Sequence, residues 1–336
     1  MTKLVIDSVG PATSVQDAGR HGAQRYGLPP SGAMDRLSLA AANVLVGNSA
    51  SAAAIELGPL GAKLSVRDGA VRLALTGAER PAALDGKPLA FNESFTLTEG
   101  QILTVGVARG GVFSYLGIEG GVGGEPMFGS LAVNARAGLG SPYPRPLQAG
   151  DTIEVKSAAP AVERRLDLSE QQDTPIRVVL GPQNDEFGDA VETFLAGEWT
   201  ISATSDRMGY RLDGPQISHL HGHNIVSDGT VDGSIQVPGS GQPIVLMPDR
   251  GTSGGYPKIA TVISADLGRL AQRQPGRPFR FQSVGVDEAQ EAYRAMARLI
   301  RSLPDRLRDA QHATIDLDAL LSANVAGAAI DALAAD

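Results

Sequence analysis

Cysteine is absent from all 336 residues, which excludes disulfide frameworks, thiolate nucleophiles and cysteine-ligated zinc together. Aromatic residues make up only 4% of the chain, tryptophan occurs once, and the formal net charge is −8. Nucleic-acid binding therefore lacks both its basic footprint and its stacking surface. No stretch approaches the ~20 consecutive apolar residues that a membrane-spanning helix needs. The opening Met-Thr-Lys-Leu-Val-Ile-Asp has no signal-peptide core. These absences predict a cytoplasmic protein with neither nucleic-acid nor membrane partners. Gly-x-Ser-x-Gly, Gly-x-x-x-x-Gly-Lys-Ser/Thr and His-Glu-x-x-His are all missing, so autonomous ester hydrolysis, conventional ATP binding and a zinc-protease site have no support. The period-two histidines of His219-Leu220-His221-Gly222-His223 would share one face of a strand. They lack a carboxylate or thiol at zinc spacing, and no metal is expected.

Glycine and proline are plentiful, at 41 and 21, and they cut the chain into short apolar runs. Lys3–Ile6, Ala53–Leu57, Val71–Leu75, Ile102–Val107, Val112–Ile118, Ile176–Leu180, Ile244–Met247 and Ile259–Ser264 read as strands. Asp35–Val46 is the clearest helix, with Gly47 at its stop, and Asp185–Leu195 is a second candidate. The fold class is mainly β with a few helices, as barrels or sandwiches and not a doubly wound sheet. Ser157–Thr174 is linker-like in composition. Boundaries at 1–165, 173–285 and 286–336 follow, the last being a helical tail whose stripe of Ala289, Tyr293, Ala297 and Ile300 would dock onto the body, with Asp287 capping its start. Gly10-Pro11 and Gly181-Pro182 each follow an opening strand, one of several faint echoes between the two halves.

The richest cluster of chemistry lies between Gly241 and Lys258. An apolar strand there delivers Asp249 and Arg250 to a rim where Gly254 and Gly255 permit close backbone approach, beside Tyr256 and Lys258. The alternative is a glycine-rich turn closed by a surface ion pair. A second cluster joins Gln16, Asp17 and Arg20 to Ser31 and Asp35, the last two standing where a helix begins and therefore also candidates for simple capping. In Ser205-Asp206-Arg207-Met208-Gly209-Tyr210-Arg211, Arg207 and Arg211 flank a glycine and Tyr210, and arginine presents a planar fork suited to carboxylates. Gln236 completes the inventory of groups suited to a neutral polar ligand.

Ser14-Val15-Gln16-Asp17-Ala18-Gly19-Arg20, Ser31-Gly32-Ala33-Met34-Asp35, Ser205 to Leu212, Gly233-Ser234-Ile235-Gln236-Val237-Pro238 and Asp249-Arg250 through Gly255-Tyr256-Pro257-Lys258-Ile259-Ala260 resemble, in order, the biotin-dependent carboxyltransferase / allophanate hydrolase subunit 2 family, which includes 5-oxoprolinase components. The resemblance runs from about Val5 to Phe281. It implies two cyclophilin-like β-barrel lobes and work within a complex. A component of an ATP-dependent 5-oxoprolinase, converting 5-oxoproline to glutamate, is the leading expectation. ATP would enter through a partner resembling allophanate hydrolase subunit 1, the B component of the 5-oxoprolinase, together with its A component. The alternatives are the carboxyltransferase component of a biotin-dependent urea or amide carboxylase, with biotin as the carboxyl carrier, and a regulatory protein that antagonises a kinase inhibitor. This chain has no Met-Lys-Met biotinylation site.

On this resemblance Asp249, Arg250, Tyr256 and Lys258 form the catalytic set. Arg250, Lys258 and Arg207 would stabilise an oxyanion or carboxylate, while Asp249 and Tyr256 handle protons or orient the amide. Gln16, Asp17, Arg20, Ser31, Asp35, Arg207, Tyr210, Gln236, Gly254 and Gly255 would bind substrate. Alanine at Arg250 or Lys258 is expected to abolish activity of the assembled complex without unfolding it. The His219–His223 triplet and the loop Gly251-Thr252-Ser253, where the family's commoner form is Gln-Thr-Thr, depart from the pattern.

Overall fold

A computed structural model describes residues 2–168 and 174–310. Strands dominate, joined by helices α1 (Arg36–Leu45), α2 (Ala190–Ala196), α3 (Leu267–Ala271) and α4 (Val286–Ser302). No helix among the described residues is long and apolar enough to cross a membrane.

The N-terminal half contains two antiparallel sheets. The first is ordered Thr152–Glu154, Lys3–Val9, Ala62–Arg67, Ile102–Val105, Ala82–Leu84, Lys87–Pro88; the second is ordered Ser14–Gln16, Ala54–Leu57, Ser114–Ile118, Ala70–Gly77, Ser94–Thr98. Alternation sets the faces: along Ala62–Arg67, residues Ala62, Leu64 and Val66 turn inward while Lys63 and Arg67 face water. The sheets enclose a core of Leu4, Ile6, Leu64, Leu103, Ile55, Leu57, Leu73, Leu116 and Ile118.

The second sheet is covered on its other face too, so its central strands Ala54–Leu57 and Ser114–Ile118 are buried along their whole length. That outer face carries Ala54, Phe113 and Tyr115 into a cluster with Trp199, Phe194, Phe281, Ile235 and Val245 of the C-terminal half. α1 also lies on it. Gly117 allows this close seat, because a Cβ there would stand 2.3 Å from the carbonyl oxygen of Ala42.

The C-terminal half is built on a seven-stranded sheet ordered Thr200–Ile201, Gly209–Asp213, Ile244–Leu246, Ser234–Gln236, Lys258–Val262, Ile176–Leu180, Phe281–Ser283. Only its last pair is parallel. Trp199 is fully buried there, its indole donating to the Phe194 carbonyl at 3.0 Å.

Several expectations shift. The single helix expected at Asp185–Leu195 becomes a 3-10 turn, Asn184–Glu186, followed by α2, because Gly188 adopts φ 49° between them. α4 is capped by Gly285, and Asp287 lies in its first turn, where an acid favours the helix dipole without capping. Within the expected linker, Arg164–Leu166 pairs with Leu307–Asp309, beyond α4. The body-docking part of the tail is Ile300, Leu303 and Leu307, which pack with Ala40, Ala41, Val44 and Leu45 of α1; its portion beyond Ala310 lies outside the described residues. We propose that the halves are the two lobes, divided between residues 165 and 173.

A buried polar network fastens the halves. Asp35 caps α1 by accepting from the Leu37 and Ser38 amides at 3.1 and 3.2 Å. Its own amide donates to the Tyr115 hydroxyl at 2.7 Å, and that hydroxyl donates to Glu56 at 2.7 Å. Glu56, fully buried, also accepts from the Met34 amide at 2.9 Å. From the other half Gln272 accepts from the amides of Val112 and Phe113, both at 2.9 Å, and donates to the Phe113 carbonyl at 2.8 Å and to Asp35 at 3.0 Å. Tyr115→Phe deletes one hydroxyl and strands the Asp35 amide, while the Glu56 oxygen it bonded keeps the Met34 amide, so we expect a loss of about 1–3 kcal/mol in urea denaturation. A wild-type midpoint would show the hydroxyl to be energetically silent.

Candidate functional site

Arg207 stands immediately before the strand Gly209–Asp213, and Asp249 stands just beyond the neighbouring strand Ile244–Leu246. The register Gly209↔Leu246 therefore places the two side by side, and the Asp249 amide donates to the Arg207 carbonyl at 2.9 Å. Their side chains form a fork: Arg207 Nε and Nη2 donate to the two Asp249 oxygens at 2.9 and 3.2 Å. The same guanidinium reaches into the N-terminal half, through Nη1 to Glu56 and through Nη2 to the Gly32 carbonyl at 2.7 Å. Arg207 and Asp249 side chains are 12% and 14% exposed, and both line a cleft of about 760 Å³ between the halves. Ser14, Phe113, Asn134 and Arg136 face them from the N-terminal half.

Burial acts first on these charges. It drives the Glu56 carboxyl up, against the pull of Arg207 and two hydrogen bonds, and it opposes the Arg207 charge, which Asp249 and Glu56 more than restore. Arg207 is thus a permanent cation answered by two acids. The carboxylate it presents to the cleft is Asp249, fixed in orientation with its charge-assisted bonds on one side.

Other sequence candidates hold the walls. Tyr210 lines the cleft, yet its hydroxyl donates away from it to the Ala271 carbonyl at 3.0 Å, and burial raises its pKa. Gln16 donates to the Val133 carbonyl at 3.1 Å, Asp17 accepts from Ser130 Oγ and the Leu131 amide, both at 2.7 Å, and Arg20 donates to the Ala132 carbonyl. These three clamp the segment that carries Asn134. Ser31 accepts from Asn134 Nδ2 at 3.1 Å, and its amide donates to the Pro248 carbonyl across the halves; Asp35 alone is the cap. Arg20, buried with Nε and Nη1 unpartnered, feels the charges of Asp17 and Asp249.

The expected catalytic set is divided. Arg250, Tyr256 and Lys258 are not among the cleft-lining residues that include Asp249. Arg250, 2% exposed, pairs with Asp232 and donates to Gln24 Oε1 and the Thr230 carbonyl, each at 3.2 Å. Lys258, also buried, pairs with Asp228 at 2.8 Å, and its amide donates to Gln183. Gln236 lies opposite Lys258 in the sheet and donates weakly to the Tyr256 carbonyl, while Tyr256 itself is 39% exposed. Gly254 admits Gln236, whose Nε2 would stand 2.3 Å from a Cβ there. Gly255 would place a Cβ 3.6 Å from the Ile225 carbonyl, an ordinary contact. The histidine triplet lies in a loop and not on a strand; His219 contacts the Val237 carbonyl and His221 faces Glu186 at 3.3 Å. No group of three or more residues suited to a metal occurs among the described residues.

Sequence reasoning missed Glu56, Tyr115, Gln272 and the acids Asp228 and Asp232. A lone acid inside the apolar run Ala53–Leu57 was the available signal for Glu56, since a carboxylate in a buried strand requires a cationic partner.

A β protein of two sheet systems, with a cleft at their junction into which Arg207 and Asp249 set charge, has the architecture of carboxyltransferase domains. Residues 26–283 match the carboxyltransferase domain, subdomain A and B, and the chain belongs to that family. It is 37% identical over 310 residues to the C component of the 5-oxoprolinase of Escherichia coli (strain K12), covering 91% of this chain and 99% of that protein. It is 30% identical over 328 residues to urea amidolyase of Lachancea kluyveri, covering 89% of this chain and 18% of the enzyme. Among solved structures, the K. lactis urea amidolyase superposes with a TM-score of 0.81 at 28% identity over 91% of this chain, and TTHA0988 with 0.76 at 32% identity over 84%. The chain spans 21% and 56% of those two proteins, respectively.

The structure revises the expectation that Arg250 can be truncated without structural cost. Arg250→Ala leaves Asp232 without its cation in a largely buried setting, and we expect about 3 kcal/mol of destabilisation by urea denaturation. Tyr256→Phe, at an exposed site, should stay within about 0.5 kcal/mol of wild type. Equal effects at the two positions would contradict this division.

Proposed function

We propose that this chain is the amide-handling component of an ATP-dependent 5-oxoprolinase, holding 5-oxoproline in the cleft between its lobes while the partner B and A components supply the ATP-dependent step. The observation that carries this reading is the Asp249 carboxylate, locked by the Arg207 fork at the cleft wall. 5-Oxoproline offers a ring N–H, a ring carbonyl and a carboxylate. Asp249 accepts the ring N–H and orients the lactam; water adds at the carbonyl carbon, the C–N bond opens, and a proton from that water goes to the leaving nitrogen, giving glutamate with its free amine. Arg136, exposed and lining the same cleft, provides a cation for the substrate carboxylate. The match to nearly the whole of the E. coli protein supports the assignment.

The urea amidolyase relatives support a second reading, a biotin-dependent carboxyltransferase acting on urea or another amide. The cleft exceeds a small amide in size, and its apolar wall of Val112, Phe113 and Ile201 suits the bicyclic ring of biotin. When bound, carboxybiotin supplies the carboxyl group. Asp249 would then accept an N–H of the acceptor amide.

Co-expression with the partner components, followed by ATP-dependent conversion of 5-oxoproline to glutamate with and without this chain, tests the first reading. Turnover should require the chain, and Asp249→Asn should lower kcat by about 10²–10⁴-fold. A stable complex that binds but does not turn over 5-oxoproline, yet carboxylates urea from carboxybiotin, would establish the second reading instead.

A further inference from the structure

α4 crosses the body over a second depression, an open groove of about 750 Å³ that shares no lining residue with the cleft. One stripe of the helix, Val286, Ala289 and Tyr293, faces Val179, Val231 and Ile263 across it. The stripe is only partly covered: Val286 remains 56% exposed and Tyr293 46%. A helix that packs through Ile300 and Leu303 at its far end but holds its first turns open leaves its apolar stripe without the dispersion contacts of a filled interface. A volume of this size is ordinary for a small-molecule site.

The charges of the groove select the ligand. His21, Arg36, Arg250 and Arg294 line it together with a single acid, Asp232. Arg294 is answered by Glu291 and Gln290, and the His21 ring contacts the Ala18 carbonyl. Arg250 takes up Asp232, and its buried Nε still has no partner. The Arg36 side chain makes no hydrogen bond or ion pair to another described residue. Of the three arginines of the groove, Arg250 is thus answered by Asp232 within it and Arg294 by Glu291 outside it, which leaves Arg36 as the cation set among apolar walls. Asp249 and Arg250, adjacent in the chain, face different cavities: Asp249 offers a carboxylate to the cleft, while Arg250 lines the groove with its acid, Asp232, beside it.

We propose that this groove binds an organic monocarboxylate with an apolar body, a medium-chain or aryl acid, its carboxylate at Arg36 and its apolar body between α4 and the Val231–Ile263 wall. The inference rests on the groove alone and is independent of the reaction assigned to the cleft.

Isothermal titration of the intact chain with octanoate, octanol and octylammonium tests it. Octanoate should bind saturably at one site, with the alcohol and the amine at least about tenfold weaker, since the charge-assisted contact is lost. Arg36→Ala and Tyr293→Asp, both at sites that are not fully buried, should each weaken octanoate about tenfold or more, whereas Arg136→Ala, at the cleft, should leave it unchanged. A diazirine analogue of octanoate should label peptides spanning 286–294 or 231–232 in the unmodified protein, which keeps the test open should a variant fail to fold. Absence of saturable octanoate binding, equal affinity for the alcohol, sensitivity to Arg136 in place of Arg36, or labelling confined to other peptides would each overturn the proposal.

Discussion

Glu56 sits on a central strand with no exposed surface, and a carboxylate cannot remain ionised there without a cation. The cation comes from the other half of the molecule. Arg207 crosses the junction to reach it, and in doing so binds the Gly32 carbonyl and turns its remaining edge to Asp249. Docking of the two halves and satisfaction of this charge are therefore one event. The N-terminal half alone would carry an uncompensated group, Glu56 without its arginine, whereas the C-terminal half alone would keep the Arg207–Asp249 pair.

The cleft inherits its order from that requirement. Asp249 is not positioned by its own loop alone, because the guanidinium that grips it is gripped in turn by a buried strand whose neighbour bears Tyr115 and whose α1 cap is tied to Gln272. A carboxylate supported this way loses little freedom when it meets an N–H, which is the condition under which a hydrogen bond contributes most to orientation. Arg20, with two unpartnered nitrogens within reach of the Asp249 charge, adds to the positive field behind the same wall.

Much of the fold was legible in the chain because strand length and turn chemistry are local properties. Ile176–Leu180 and Arg36–Leu45 fall where hydrophobic runs and the Asp35 cap placed them. The interruption at Gly188 was less visible, since a glycine inside a helical pattern is compatible with either continuation or a break. The site was readable as a set of motifs but not as an arrangement. Asp249 and Arg250 are consecutive, so sequence treats them as one functional unit; the backbone sends them to different cavities. Lys258 and Arg250 were read as oxyanion-stabilising cations because their acids, Asp228 and Asp232, lie on a separate loop whose approach is set by tertiary pairing of Asp228–Gly229 with Ser253–Gly254. Glu56 and Gln272 escaped notice because each acts across the junction, and a contact between distant segments leaves no periodic trace.

The pairing of Arg164–Leu166 with Leu307–Asp309 brings the chain entering the C-terminal half alongside the chain leaving it. Topologically that half is a closed excursion from the N-terminal body, with its doorway only two strands wide. Chains with adjacent entry and exit tolerate being spliced into larger polypeptides. The doorway holds together the two ends of that half, so the junction on which the cleft depends is closed within the module itself, a module that fills nearly the full length of one relative and about a fifth of another.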